Sequence, residues 1–132
     1  MNLKALDLAT IEAVMDALPY DVSFVDAEDT LVFFNTPAEG RIFPRTKLDI
    51  GRKVQKCHPP KSVATVEKIL SAFRKGEKKE ASFWISLQGK LVFIEYFPVT
   101  DQAGKYLGTL EVTRDVTGIK KIEGERRLLD WS

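Results

Sequence analysis

The sequence predicts an α+β domain, with helices laid on an antiparallel sheet. Three observations carry this. Short runs of β-branched and aromatic residues occur as an early pair and a late trio; one long amphipathic helical stripe separates the two groups; and "QG" joins two late runs as a hairpin turn. A chain of 132 residues suits one domain with one core.

The first element is "LKALDLATIEAVMDALPY", in which Leu3, Leu6, Ile11, Val14, Met15 and Leu18 recur at helical steps with acidic residues between them. This is an amphipathic helix ended by Pro19. "DVSFVDAEDTLVFFN" follows as two short strands, Val22–Val25 and Leu31–Phe34, around a polar turn. From Asn35 to Lys56, Pro37, Gly40, Pro44 and Gly51 break the chain into loops and short turns. After Pro59-Pro60, the residues Val63, Val66, Ile69, Leu70 and Phe73 form the stripe of the long helix, which Gly76 stops. "EASFWISL", "KLVFIEYFPVT" and "YLGTLEVTRDVT" are the late strands. The closing "GIKKIEGERRLLDW" places Ile119, Ile122, Leu128 and Leu129 on a terminal helix weakened by Gly124. The expected organisation is an N-terminal helix over residues 1–19, a core over 20–117, and an exit helix or tail over 118–132.

Composition excludes several classes of function. With 44% hydrophobic and 30% charged residues the chain folds rather than staying disordered. Twenty basic and 19 acidic residues leave a net charge of +1, so no overall field recruits nucleic acid or an anionic membrane. The basic run "FRKGEKK" reads as a solvated helix end and turn. One cysteine and one histidine give neither an internal disulfide nor four zinc ligands. No apolar run reaches the ~20 residues of a membrane span, and the N-terminus does not read as a signal peptide; a soluble, cytoplasmic protein is the expectation.

Pairing Leu87 with Lys90 across the hairpin fixes a register. Phe83, Ile85, Val92 and Ile94 then share one face, and Trp84, Phe93 and Phe97 the other. Both faces are apolar, so something must cover the second, and the N-terminal stripe of this chain or of a twin is the expected cover. In the last strand Leu107, Thr109, Glu111 and Thr113 form a row that points either into a pocket or to solvent.

The order of these pieces resembles a PAS domain, a sensory α+β module, from about Leu18 to Thr117. The resemblance is carried by "VSFVDAEDTLVFFN" ending in Asn35, by "IGRKV", by the long helix, and by "PVTDQAGKYLGTLEVTRDVT". Asp115-Val116-Thr117 occupies the place of the family's D-[IV]-T ending. "RIFPRTKLDIGRKVQKCHPPKSVATVEKIL" and "EGERRLLDW" are similar to the PAS domain that ends an uncharacterised prokaryotic family, where it follows a hemerythrin-like region. The resemblance implies a five-stranded antiparallel sheet, helices enclosing a central cavity, and signalling rather than catalysis. Asp115 and Thr117 would couple the last strand to the exit segment and so to a fused or partner signalling domain, and similar domains pair as homodimers through the N-terminal helix or outer sheet face.

Within that frame, Val66, Ile69 and Phe73 on the helix stripe face Phe83, Ile85, Val92, Ile94 and Tyr96 on the sheet, around a small, mostly apolar ligand. His58 is the polar group nearest one end and Glu111 stands at the other. His58 reads as a helix-entry hydrogen-bonding residue in reach of a ligand, and Cys57 as a small packing group without chemistry. Other readings stay open. One is haem ligation through His58; another is a dimerisation module whose core is plugged by Phe83, Ile94 and Tyr96; a third is a small cone-fold enzyme using Glu111 and His58 as acid and base. A flavin adduct is disfavoured because Val54 stands where light-sensing relatives carry the reactive cysteine, and Val92 and Ile85 replace flavin-contacting asparagines. No metal ligand set is expected, and the identity of any cofactor is left undetermined.

Overall fold

The computed structural model describes residues 3–131. Strands β1 (Asp21–Asp26), β2 (Leu31–Phe34), β3 (Ala81–Leu87), β4 (Lys90–Thr100) and β5 (Tyr106–Asp115) pair antiparallel throughout, in the order β2-β1-β5-β4-β3. Helix α1 (Leu8–Asp16) precedes the sheet, α2 (Pro60–Arg74) links its two halves, and α3 (Thr117–Lys120) is a single turn after β5. Short 3-10 turns at Lys47–Asp49 and Val54–Cys57 lie between β2 and α2. The α+β class and the five-stranded antiparallel sheet are as the sequence predicts.

Each element has a local cause. Asp7 caps α1 by accepting from Thr10 N at 2.7 Å. Prolines at the start of α2 set its first turn, and Gly76, with φ +73, ends it. Gln88 and Gly89, both with positive φ, form the two-residue turn between β3 and β4. That turn pairs Leu87 with Lys90, Ile85 with Val92 and Phe83 with Ile94, the register expected from the sequence. Thr109, Glu111 and Thr113 are buried, so the polar row of β5 points inward.

The core lies between α2 and the β1–β2 side of the sheet. Val25, Leu31, Val54, Val66 and Leu70 form it, with Phe34 packed against it. Asn35, fully buried just after β2, holds three separate segments. Its Oδ1 accepts from Val22 N at 2.7 Å, and its Nδ2 donates to Met15 O and Tyr20 O, both at 2.9 Å.

Two expectations fail here within the single chain. The stripe of α1 does not cover Trp84, which remains 66% exposed, while Val14 and Leu6 are themselves exposed. The C-terminal end of α1 is tied to Asn35 and Thr36, beside β2, whereas Trp84 lies on β3 at the opposite edge. Four strand spacings separate those edges, roughly 19 Å, and a helix of this length reaches only about 13 Å. The terminal helix also stops at Lys120. Gly124 adopts φ +67, and Ile122, Leu128, Leu129 and Trp131 are left exposed instead of forming a stripe.

Gly108 marks a close approach of β1 and β5. A Cβ there would stand 2.1 Å from Val25 O and 2.6 Å from the Phe24 ring, so β1 and β5 can pair only around a bare α-carbon. Gly108→Ala is therefore expected to cost about 3 kcal/mol of stability, seen as a lower urea midpoint with an unchanged m-value.

Candidate functional site

Between α2 and the inner face of β3, β4 and β5 lies a cleft of about 540 Å³. Its apolar wall is Val66 and Ile69 from α2 with Phe83, Ile85 and Ile94 from the sheet. Phe83 meets Tyr96 edge-on, with ring centroids 6.2 Å apart. A recess of about 20 Å³, room for roughly one water, extends from the inner end toward Ser23, Thr109 and Val25.

Polar groups collect at that inner end. His58 Nδ1 lies 3.0 Å from Val54 O; a carbonyl only accepts, so Nδ1 carries the proton and donates. The ring's other nitrogen, Nε2, then faces Glu111 Oε2 at 3.9 Å, and both side chains are largely buried. Burial, and then the charge and hydrogen bonding of Glu111, push the Tyr96 hydroxyl far above its ordinary range, so Tyr96 stays a neutral donor. Burial likewise raises the Cys57 thiol, which disfavours the thiolate that cysteine chemistry needs. Cys57 Sγ points to Lys53 O at 3.7 Å.

The loop after β2 brings Phe43 and Arg45 to the mouth of this end. Its path is set by Asp21, whose carboxylate accepts from Ile42 N at 2.9 Å and Phe43 N at 2.8 Å. Arg41, buried beside Asp21, donates to Asn35 O, Val22 O, Ser23 Oγ and Phe43 O and so closes the same knot.

Of the residues predicted for the site, His58, Val66, Ile69, Phe83, Ile85, Ile94, Tyr96 and Glu111 line one cleft. Phe73 and Val92 do not. They are 3% and 1% exposed, consumed in packing, and Phe73 borders a separate hollow farther along α2. His58 and Glu111 share one end of the cleft instead of occupying opposite ends. Arg45, Phe43 and Thr65 belong to its lining as well and were not foreseen. Among the described residues no group of three His, Cys, Asp or Glu could hold a metal ion, and no helix is long and apolar enough to cross a membrane.

Asp115 and Thr117 lie away from the cleft, at the end of β5. Thr117 Oγ1 donates to Asp115 Oδ1 at 2.6 Å and accepts from Leu91 N at 2.9 Å; Asp115 Oδ1 also accepts from Thr117 N. These bonds hold Asp115 below the usual carboxylate range and clasp the chain's exit to the start of β4.

An antiparallel sheet curved around one long helix, with a mostly apolar cleft between them, defines a class of small domains built like sensory modules. The chain belongs to the PAS domain family, whose sequence profile matches residues 11–117. The fold it shares is typical of sensory signalling modules. A C-terminal domain from Streptococcus mutans is 31% identical, with a TM-score of 0.81 over 89% of this chain and 91% of that one. A sensory box sensor histidine kinase from Vibrio cholerae shares the fold at 15% identity, with a TM-score of 0.59 over 83% of this chain and 90% of that one. The Vibrio cholerae VqmA dimer, described as a LuxR-type receptor, does so at 19% identity, with a TM-score of 0.61 over 86% of this chain and 54% of that one. No curated protein shows significant similarity to the chain.

Because Tyr96 keeps its proton in the fold far beyond the value of 10.0 it would have when unfolded, it holds stability that is complete below about pH 10. Above that, the unfolded chain releases the proton and the folded one does not, so stability falls. Tyr96→Phe is expected to flatten this alkaline decline in urea titrations between pH 9 and 11.

Proposed function

We propose that this domain is a non-catalytic sensory module that binds a small, mostly apolar ligand in the α2–sheet cleft and relays its presence through the chain termini. The observation that carries the reading is the cleft itself. Its volume of about 540 Å³ falls within the roughly 300–1,000 Å³ of small-molecule sites, and its apolar wall ends in a few convergent polar groups. Phe83 and Ile85 are 38% and 40% exposed on that wall, which favours an open site over a core plugged by its own side chains.

The relay follows from shared backbone. Strand β4 contributes Ile94 and Tyr96 to the cleft and Leu91 to the clasp with Thr117. A ligand that prefers one position of β4 would shift the exit segment in proportion to that preference. Asp115 and Thr117 are the residues assigned to this step, and the segment they release would connect to a partner or fused signalling domain in the cytoplasm.

Homodimerisation belongs to the same proposal. Trp84, stacked on Phe93 and left 66% exposed, gives the outer sheet face an apolar patch for a twin chain, and VqmA, of the same fold, is described as a dimer. A catalytic reading would need His58 and Glu111 to address a substrate, whereas they address each other across 3.9 Å. Haem ligation by His58 would have to displace that same contact.

Mass spectrometry of small molecules released on denaturing the purified protein is expected to find a bound apolar compound, and Ile69→Trp, which fills the cleft, to abolish its recovery. Failure of the protein to retain or bind any apolar molecule would refute the sensory reading.

A further inference from the structure

Arg45 is the one cation reaching both the cleft and its inner recess. Its Nε is buried and has no hydrogen-bond partner among the described residues, and its only recorded bond runs from Nη1 to Pro44 O at 3.1 Å. No carboxylate among the described residues forms an ion pair with it; Glu111, the acidic group of the cleft, is directed instead at His58 Nε2. A guanidinium donor withdrawn from water and left unpaired is costly, and Arg in such a position suits a carboxylate, whose two oxygens match its fork.

The apolar side has a matching shape. Beyond Thr65, Ile69 and Phe83 the cleft adjoins, along α2, the separate and more open hollow of about 590 Å³ that Phe73 borders, where Ala72 and Ala81 stand beside the charged Lys68, Lys75 and Glu80. The space is thus elongated, with a cation at its inner end and an open outer end. From Val66 to Phe73 the helix rises roughly 10 Å, enough to accompany a straight chain of about ten carbons.

We infer that the ligand is an apolar monocarboxylic acid of medium chain length, its carboxylate on Arg45 and its chain along Val66, Ile69, Phe83, Ile85 and Ile94. This rests on the ligand-pocket reading above and names the chemistry of the molecule. Arg45 and Lys61 are the cations of the cleft and Glu111 its acidic group, so one added negative charge leaves the lining balanced where a second would not.

The test compares decanoate with decanol, which share the chain and differ at the head, by calorimetry and by amide chemical-shift changes in the intact protein. Decanoate is expected to bind at least tenfold more tightly than decanol, with shifts at Ile69, Phe83 and Ile94. Arg45→Met is expected to erase that difference, and Arg45→Lys to restore only part of it. Equal binding of acid and alcohol by the wild-type protein would overturn the carboxylate assignment and leave the pocket reading standing. If neither binds and Ile69→Trp changes nothing, both fall. Because the first comparison uses only the unaltered protein, it stands even if an Arg45 variant folds poorly.

Discussion

The buried knot of Asn35, Arg41 and Asp21 is the constraint on which the rest of this structure depends. Most of its bonds join segments that are far apart in sequence: Asn35 reaches Val22, Tyr20 and Met15, and Asp21 reaches the backbone of Ile42 and Phe43. A buried Asp–Arg pair is weak evidence for net stability, because desolvation offsets much of its attraction. Its value here is positional. It turns the irregular chain between β2 and α2 into a wall with one defined path, and that wall delivers Phe43 and Arg45 to the cleft. Removing either charged partner would strand the other in a dry interior, which makes the path hard to lose gradually.

The cleft is polar at one end for a related reason. The β5 row Thr109, Glu111, Thr113 points inward, and a sheet face that carries hydroxyls and a carboxylate cannot simply be closed over by α2. Tyr96 on the neighbouring strand supplies a partner for Glu111, and His58, held by Val54 O at the entry to α2, stands beside it. Apolar packing continues on either side, through Leu70 and Phe73 on the helix and Val92 on the sheet. Much of the cleft lining and of the core thus comes from neighbouring positions of the same helix and strands.

Much of this was legible in the sequence, and the failures have physical causes. The β3–β4 register could be read because a two-residue turn leaves one pairing, Leu87 with Lys90. The family could be read because strand pair, long helix and Asp115-Val116-Thr117 ending appear in order. Arg45 could not, since no periodicity governs residues 36–53 and the loop's course is set by Asp21, more than twenty positions earlier. Phe73 and Val92 were assigned to the pocket because they share a face with it, but sharing a face does not decide whether a side chain lines space or fills it. The coincidence of His58 and Glu111 at one end depends on where α2 starts along β5, a tertiary distance that neither stripe nor register contains.

Among the described residues, the hydrogen bonds that fasten helix α1 to the sheet lie at its C-terminal end. Asn35 Nδ2 holds Met15 O and Asp16 Oδ1 receives Thr36 N, while most of the helix upstream of these bonds is exposed. An element so attached stands at the low end of the local stability scale: it can unwind from Leu8 inward without opening the sheet, and its amides should lose protection while those of β5 remain closed. Its folding is also separable from that of the core. The strands can pair and α2 can dock before α1 is wound, which leaves the helix available, late in folding, to any surface that offers its apolar side more contact than its own chain does.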